Sequence, residues 1–328
     1  TGLFLFIIVI DSDQIRQQRI LIDGIAQGTT YHIIYYATDS LVIKSQVDSI
    51  LDKIDSSLSL YKPYSLINRF NQSHDGVTAD MHFSKVVKKA IEVYHHTSGL
   101  FDITVEPLTT IWGFGAVKAI NIPDRTAIKN ILPCVNSKLL YWQGKKLKKR
   151  KPCVGLDANG IGQGYSVDVL ADFFEGNGVK NYVIELGGEI RVQGHKNHGD
   201  EKMKIGIESP GDDPEFSVIQ KVIWLDKGAI TTSGNYRRYY ESNGQKITHL
   251  LNPKTGYSLQ NELISVTVYA KDAITADGYD NALMAMGLKK GMAFVEKRKD
   301  LAAHFIYRKE NGTIADTMTK RFAVLLKP

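Results

Sequence analysis

The sequence predicts an α+β protein: mixed, largely antiparallel sheets with helices packed against them. Three observations carry this. Strand-like runs follow one another with no helix between them: Lys180 to Gln193 is two short runs around Gly187-Gly188, and Lys202 to Glu208 and Gln220 to Thr231 come next. A doubly wound parallel sheet needs a crossover helix between strands, so this succession argues for antiparallel pairing. The 3.6-residue apolar period of a packed helix is confined to a few separate segments. The length of 328 residues, with 43% apolar and 23% charged residues, suits a folded chain with a large core in one domain, with room for two lobes.

In chain order, Gly28 to Ala37 alternates and is rich in Tyr and Ile, which predicts a strand. Val47, Ile50, Leu51 and Ile54 predict an amphipathic helix. A Pro-containing loop, Tyr61 to Ser65, follows. A second helix is expected from Ser84, as N-cap, through Val87, Ala90, Ile91 and Tyr94, with Gly99 ending it. Val167, Leu170, Ala171 and Phe174 predict a third. Leu263 to Ala270, Ala302 to Tyr307 and Phe322 to Leu326 read as further strands. Thr275 to Leu283 reads as the start of a helix. There, Asp277, Asp280 and Asn281 share one face, since residues three and four apart are neighbours. Three oxygen-bearing side chains on one face suit a hard cation such as Mg2+; a capped, solvated first turn is the alternative.

The net charge of +6 comes from one run. Lys145, Lys146, Lys148, Lys149, Arg150 and Lys151 carry six of the 41 basic residues, leaving 35 against 35 acidic. The run falls in an expected hairpin after Leu139 to Trp142, where lysines guard an exposed edge strand against aggregation. No nucleic-acid motif accompanies it. Cys134 and Cys153 belong to no CxxC or Cys/His pattern, which argues against zinc and redox chemistry. Pairing in an oxidising compartment and two buried thiols both remain open for them. Residues 1 to 10 are almost wholly apolar yet too short to span a bilayer as a helix. Residues 1–14 are therefore expected to be a remnant export signal or anchor, ahead of a folded domain over 15–328.

Three glycine-bearing segments and one histidine turn stand out. Asp157-Ala-Asn-Gly-Ile-Gly-Gln-Gly-Tyr165 opens the third helix, so its glycines and amides could meet an anion there. It lacks the Gly-Lys-Ser/Thr of a P-loop and the glycine spacing of a dinucleotide fold. Glu185-Leu-Gly-Gly-Glu189 suits a hairpin turn. Thr231 to Arg238 offers hydroxyls and arginines fit for phosphate. His249 precedes the Asn252-Pro-Lys-Thr-Gly256 turn and has the proton affinity of a general base.

Taken in order, these segments, with Ser98 to Val105 and Trp112-Gly-Phe-Gly115, resemble the ApbE family of FAD:protein FMN transferases. The resemblance runs from about Gly28 to the C-terminus. It implies an enzyme that needs Mg2+, uses FAD as substrate and moves FMN onto a Thr or Ser hydroxyl of an acceptor protein. Typical acceptors are membrane redox-pump subunits on the periplasmic side of the bacterial inner membrane. Matched by position, the metal would meet Gly160, Asp277, Asp280 and Asn281. FAD would lie against Gln27, the Ser59-Leu60-Tyr61 loop, Leu100-Phe101-Asp102, Asp157, Gln163, Ser233, Arg237 and the His249 to Leu251 turn, with His249 and Asp277 catalytic. Three positions depart from the family's usual residues: Gln27 replaces Met, Gln163 replaces Lys and Asn281 replaces Thr. The rival readings are an FAD pyrophosphatase, a flavin-binding protein without turnover, and an adaptor acting through the basic run.

Overall fold

The computed structural model describes residues 17–115, 122–196, 201–210, 217–235, 239–242 and 245–328. The expected export segment, 1–14, lies outside these residues, as does Arg237. In chain order the elements are β1 (Gln18–Ala26), β2 (Thr29–Ala37), α1 (Lys44–Leu58), α2 (Leu66–Gln72), β3 (Gly76–Thr78), α3 (Met81–His96), α4 (Glu106–Ile111), α5 (Arg125–Ile131), β4 (Leu140–Gln143), β5 (Lys146–Lys149) and α6 (Gly162–Gly176). They continue with β6 (Asn181–Leu186), β7 (Glu189–Gln193), β8 (Met203–Pro210), β9 (Ser217–Leu225), β10 (Lys227–Gly234), β11 (Tyr239–Ser242), β12 (Gln245–Thr248), β13 (Leu263–Ala270), α7 (Ala273–Met286), α8 (Leu288–Glu296), β14 (Ala302–Arg308), β15 (Ile314–Met318) and α9 (Lys320–Val324). Among the described residues no helix is long and apolar enough to cross a membrane.

The α+β expectation holds. Eight strands form the main sheet in the order β1-β2-β6-β7-β10-β13-β14-β15, antiparallel throughout. Tyr31, Ile33 and Tyr35 alternate inward from β2, as the sequence pattern requires, and pack with Val47 and Leu51 of α1 and Val167, Leu170 and Phe174 of α6. The opposite face is covered by β8, β9 and α9 through Ile205, Ile223 and Phe322. A second lobe, built from α2, α3 and the small sheet β3-β5-β4, shares one continuous core with α7 and the main sheet. Most of helix α7 is buried. Its Ala276, Tyr279, Ala282 and Leu283 are fully buried, and so are two of its aspartates.

Several expectations need correction. Strand β1 had no assignment. The Gln220 to Thr231 run breaks at Asp226 into β9 and β10, which belong to different sheets. Phe322 to Leu326 is not a strand; Lys320–Val324 is helix α9, and Ile314–Met318 takes the sheet edge instead. Helix α3 is capped by Asp80, whose side chain accepts from Phe83 N at 2.8 Å, so Ser84 lies a turn inside. The helix carrying Asp277 begins at Ala273 with Asp272 as cap, which puts Asp277 beyond the solvated first turn.

The basic run is not a free patch, and its strand β5 is central in the small sheet. Lys146 and Lys148 pair with Asp75 at 2.9 and 3.0 Å. Lys149 is buried, donates to the Val154 carbonyl at 2.8 Å and sits 4.9 Å over the Phe70 ring. Arg150 stacks on Tyr141, and Lys151 donates to the Pro133 carbonyl. The structure also resolves the cysteine alternatives: Cys134 and Cys153 form a disulfide.

Candidate active site

The site forms where α6 and α7 touch. Gly164 makes that contact possible, since a Cβ there would stand 2.4 Å from the Ala273 carbonyl oxygen and 2.7 Å from the Asp277 Cβ. With no side chain in the way, the Gly164 N–H donates to Asp277 Oδ2 at 2.9 Å. One turn later on α6, Asp168 accepts from Ala273 N at 2.9 Å and Ile274 N at 2.8 Å, and Arg191 Nη1 of β7 donates to it at 2.7 Å. These amides open α7, where helix N–H groups have no partner within the helix.

The four expected metal residues come together here. Asp280 Oδ2 accepts from the Thr231 hydroxyl at 2.7 Å, and its Oδ1 from Asn281 Nδ2 at 2.8 Å. The same Nδ2 reaches the Gly160 carbonyl at 3.4 Å, while Asn281 Oδ1 accepts from Ser233 Oγ at 3.2 Å. Ser233, expected beside the flavin, therefore adjoins the metal residues.

Sequence reasoning missed one member. Glu189 opens β7, is 8% exposed, and its Oε2 has no hydrogen-bond partner. Burial, then the charges of Asp277 and Asp280, raise its pKa well above the usual carboxylate range. Burial, then Asp277, raises Asp280 in the same way. Asp277 is pushed up to about 7 by burial, against the Gly164 N–H, which favours its charged form. Buried carboxylates this close together call for protons or a cation. Their hard oxygens suit Mg2+ or Ca2+ rather than a soft metal. Among the described residues no three His, Cys, Asp or Glu side chains form a metal cage by themselves.

The expected flavin residues fall into two groups. Several members of the first adjoin the N-terminal end of α6. Phe101 is buried with its ring 3.5 Å from where a Gly160 Cβ would be. Leu100 beside it is half-buried. The Asp102 carboxylate turns inward, accepting from the backbone and hydroxyls of Thr104 and Ser137, so it shapes this segment. Asp157 is buried, accepting from Thr109 Oγ1 and Asn159 N at 3.1 and 2.8 Å. Gln163 packs on Gly187, bringing the Gly187-Gly188 turn over the helix start. Gln27 adopts φ 52° in the β1–β2 turn and donates to Ser166 Oγ of α6 at 2.8 Å. The Ser59-Leu60-Tyr61 loop is braced by Asn68 Nδ2, which reaches the Ser59 and Leu60 carbonyls, and it leaves Tyr61 half-exposed. The second group is the His249 turn. His249 lies edge-on to Phe114, with ring centres 6.4 Å apart, and Leu251 packs with Trp112, whose Nε1 donates to the Gly256 carbonyl at 2.7 Å. A cavity of about 430 Å³ opens at the far end of α7, lined by Glu262, Met286 and Lys290 and by Asn252 and Thr255 of the turn that follows His249.

The chain matches the model of the ApbE family over residues 27–305. It is 35% identical over 286 residues to an FAD:protein FMN transferase of Vibrio cholerae, covering 85% of each chain. It is 34% identical over 308 residues to one of Haemophilus influenzae, covering 90% of this chain and 88% of the other. The fold superposes on flavin transferase ApbE from Vibrio cholerae with a TM-score of 0.84 at 31% identity, covering 94% of this chain and 100% of that one. For the apo flavinyl transferase ApbE of Pseudomonas stutzeri the TM-score is 0.85 at 32% identity, covering 96% and 98%.

Proposed function

This chain belongs to the ApbE family, and on that premise we propose that it transfers the FMN half of FAD onto a Thr or Ser hydroxyl of an acceptor protein, releasing AMP. The observation that carries the reading is the meeting of Gly160, Asp277, Asp280 and Asn281 at the start of α6, beside an unpartnered buried carboxylate. The residues fit Mg2+. Asp277, Asp280 and the Gly160 carbonyl would hold it, joined by Asn281 once its amide turns to bring round the oxygen that here accepts from Ser233, and bound there it would offset the charge of the FAD pyrophosphate.

The protein's own groups do the rest. The N-terminal end of α6 faces the phosphates with its dipole and its glycine-thinned backbone. Phe101, Gln27 and the Ser59 to Tyr61 loop bound the space for the flavin half. The acceptor oxygen attacks the FMN-side phosphorus, the bond from phosphorus to the AMP oxygen breaks, and the hydroxyl proton passes to His249 or a nearby carboxylate. Positioning and fixed electrostatics supply most of such a rate. The proposal places this activity on the periplasmic side of the bacterial inner membrane, acting on a redox-pump subunit. The Cys134–Cys153 pair supports that compartment, since disulfides persist where the surroundings are oxidising.

The test is incubation with FAD, Mg2+ and a Thr-bearing acceptor domain, followed by a denaturing gel. Flavin fluorescence should travel with the acceptor and vanish with EDTA. Release of FMN and AMP with no labelled acceptor would instead identify a pyrophosphatase. Calorimetry should show tighter binding of FAD than of FMN, because FMN lacks the pyrophosphate.

A further inference from the structure

We propose that Asp168 and Arg191 form a positioning clamp that fixes α7 against α6 and so holds Asp277, Asp280 and Asn281 ready for a divalent cation; the inference rests on the cation reading above. Asp168 is far from solvent, at 9% exposed, and both its oxygens are engaged. Two of its partners are the amides of Ala273 and Ile274, the first two residues of α7. The helix already has a local cap, Asp272, which accepts from Thr275 N at 3.1 Å. The Asp168 contacts therefore do something a local cap cannot: they tie the start of α7 to another helix.

The spacing shows what is tied. Gly164 and Asp168 are four apart on α6 and face the same way. Their α7 partners, Asp277 for Gly164 and Ala273 for Asp168, are also four apart. The two helices are thus pinned at two rungs in antiparallel order. One rung carries a candidate metal ligand, and the other lies a turn away from it. A slip of α7 at the Asp168 rung would carry Asp277 away from Gly164. Asp280 and Asn281 would move with it, away from Thr231 and the Gly160 carbonyl.

Arg191 completes the clamp from the sheet. It stands on β7 two residues after Glu189, so the ion pair joins the three elements that supply Gly160 to Gly164, Asp277 to Asn281 and Glu189. Arg191 is itself steadied by the charges of Asp168 and Glu175 and by Tyr182, whose hydroxyl donates to Glu175 at 2.6 Å. Asp168 and Arg191 act through the residues they position. A carboxylate is needed at 168 because each of its three hydrogen-bond partners is a donor. An amide there would turn an N–H toward another N–H or toward the guanidinium.

The test uses the full chain with Mn2+ as probe, its free ion counted by electron paramagnetic resonance, so no flavin or turnover is involved. Asp168→Asn and Arg191→Met should each raise the Mn2+ dissociation constant by about tenfold or more, as loss of groups supporting metal ligands does. The double variant should be scarcely weaker than the worse single one, because both remove the same device. Amide hydrogen exchange should speed up over residues 273–277 while α3 stays protected. A folded Asp168→Asn protein that binds Mn2+ like wild type overturns the clamp, as does unchanged exchange at 273–277. A purely structural role would lower the melting temperature and leave the Mn2+ constant alone. Should Asp168→Asn fail to fold, Arg191→Met, which removes the Nη1 donor to Asp168, decides alone, and an unchanged constant in that variant is equally fatal. Wild type that takes up no Mn2+ would instead count against the cation reading, with hydrogen exchange still deciding whether the clamp holds α7.

Discussion

Gly164→Ala should nearly abolish transfer while leaving a folded protein. The new methyl would lie 2.4 Å from the Ala273 oxygen and 2.7 Å from the Asp277 Cβ, against an ordinary contact of 3.4 Å or more. Both obstacles belong to α7 and neither is a flexible side-chain end, so the helices must part by about 1 Å. Overpacking of this kind costs roughly 1–3 kcal/mol. Alanine returns about 1 kcal/mol through its better helix propensity. The net loss of stability is then about 0–2 kcal/mol, which urea titration resolves. The functional loss is larger. Parting the helices lengthens the bond from Gly164 N–H to Asp277 and moves the acidic residues relative to the Gly160 carbonyl. A misplacement near 1 Å costs on the order of a hundredfold in rate. Single-turnover AMP release from FAD, with saturating Mg2+ and acceptor, is the assay. A Gly164→Ala enzyme within threefold of wild type, a margin of about 0.7 kcal/mol in the barrier, would refute the packing of α6 on α7 as the basis of the site.

Three further outcomes are expected. Asp277 has its pKa raised to about 7, so between its ordinary 3.8 and 7 the folded protein holds a proton that the unfolded chain releases. Stability must therefore fall as pH rises through that window, by a few kcal/mol at most (~1.4 kcal/mol for each pH unit); in EDTA, wild type should lose stability from pH 4 to 7 relative to Asp277→Asn, and parallel denaturation curves would contradict this. Replacing both Cys134 and Cys153 by serine should cost about 3 kcal/mol in urea unfolding, the chain-entropy value for a cross-link spanning 19 residues; an unchanged midpoint would show that the pair closes nothing the fold does not already hold. Asn281→Thr exchanges one neutral oxygen donor for another and should keep single-turnover rates within about tenfold, or roughly 1.4 kcal/mol in the barrier; a silent wild type beside an active Asn281→Thr, Gln163→Lys double variant would reduce the protein to a flavin binder.

Strand runs around Gly187-Gly188 and the helices through Val47 and Val167 were readable because their apolar periods are long and their turns are marked. Phe322 to Leu326 was misread because five apolar-rich residues fit either period, and only the neighbouring β15 decides which element reaches the sheet. The residues expected around a cation were legible as a set, since three of them sit within one helical turn and a half. Glu189 and Asp168 were not. A carboxylate in a hairpin and one in an amphipathic helix look solvated in a sequence; what buries them is the place of β7 inside the main sheet, between β6 and β10, and the packing of α6 on α7. Lys149 is the same lesson in reverse. It is indistinguishable from its basic neighbours by composition, yet the pleat of β5 turns it inward while Lys148 faces Asp75.

The order of strands in the main sheet also sets the timing of folding. β2 pairs on one side with its sequence neighbour β1, but its other edge waits for β6, where Tyr31 meets Leu186, 155 positions further along the chain. Until residue 186 is in place, that edge stays open. Throughout this interval a hairpin rich in Tyr and Ile presents an unsatisfied backbone ladder, the kind of template on which chains pair with one another. Closing so distant a contact is slow for entropic reasons as well. Yield of this protein on refolding or overexpression should accordingly depend on concentration and temperature, and on whatever shields the β2 edge until residue 186 arrives.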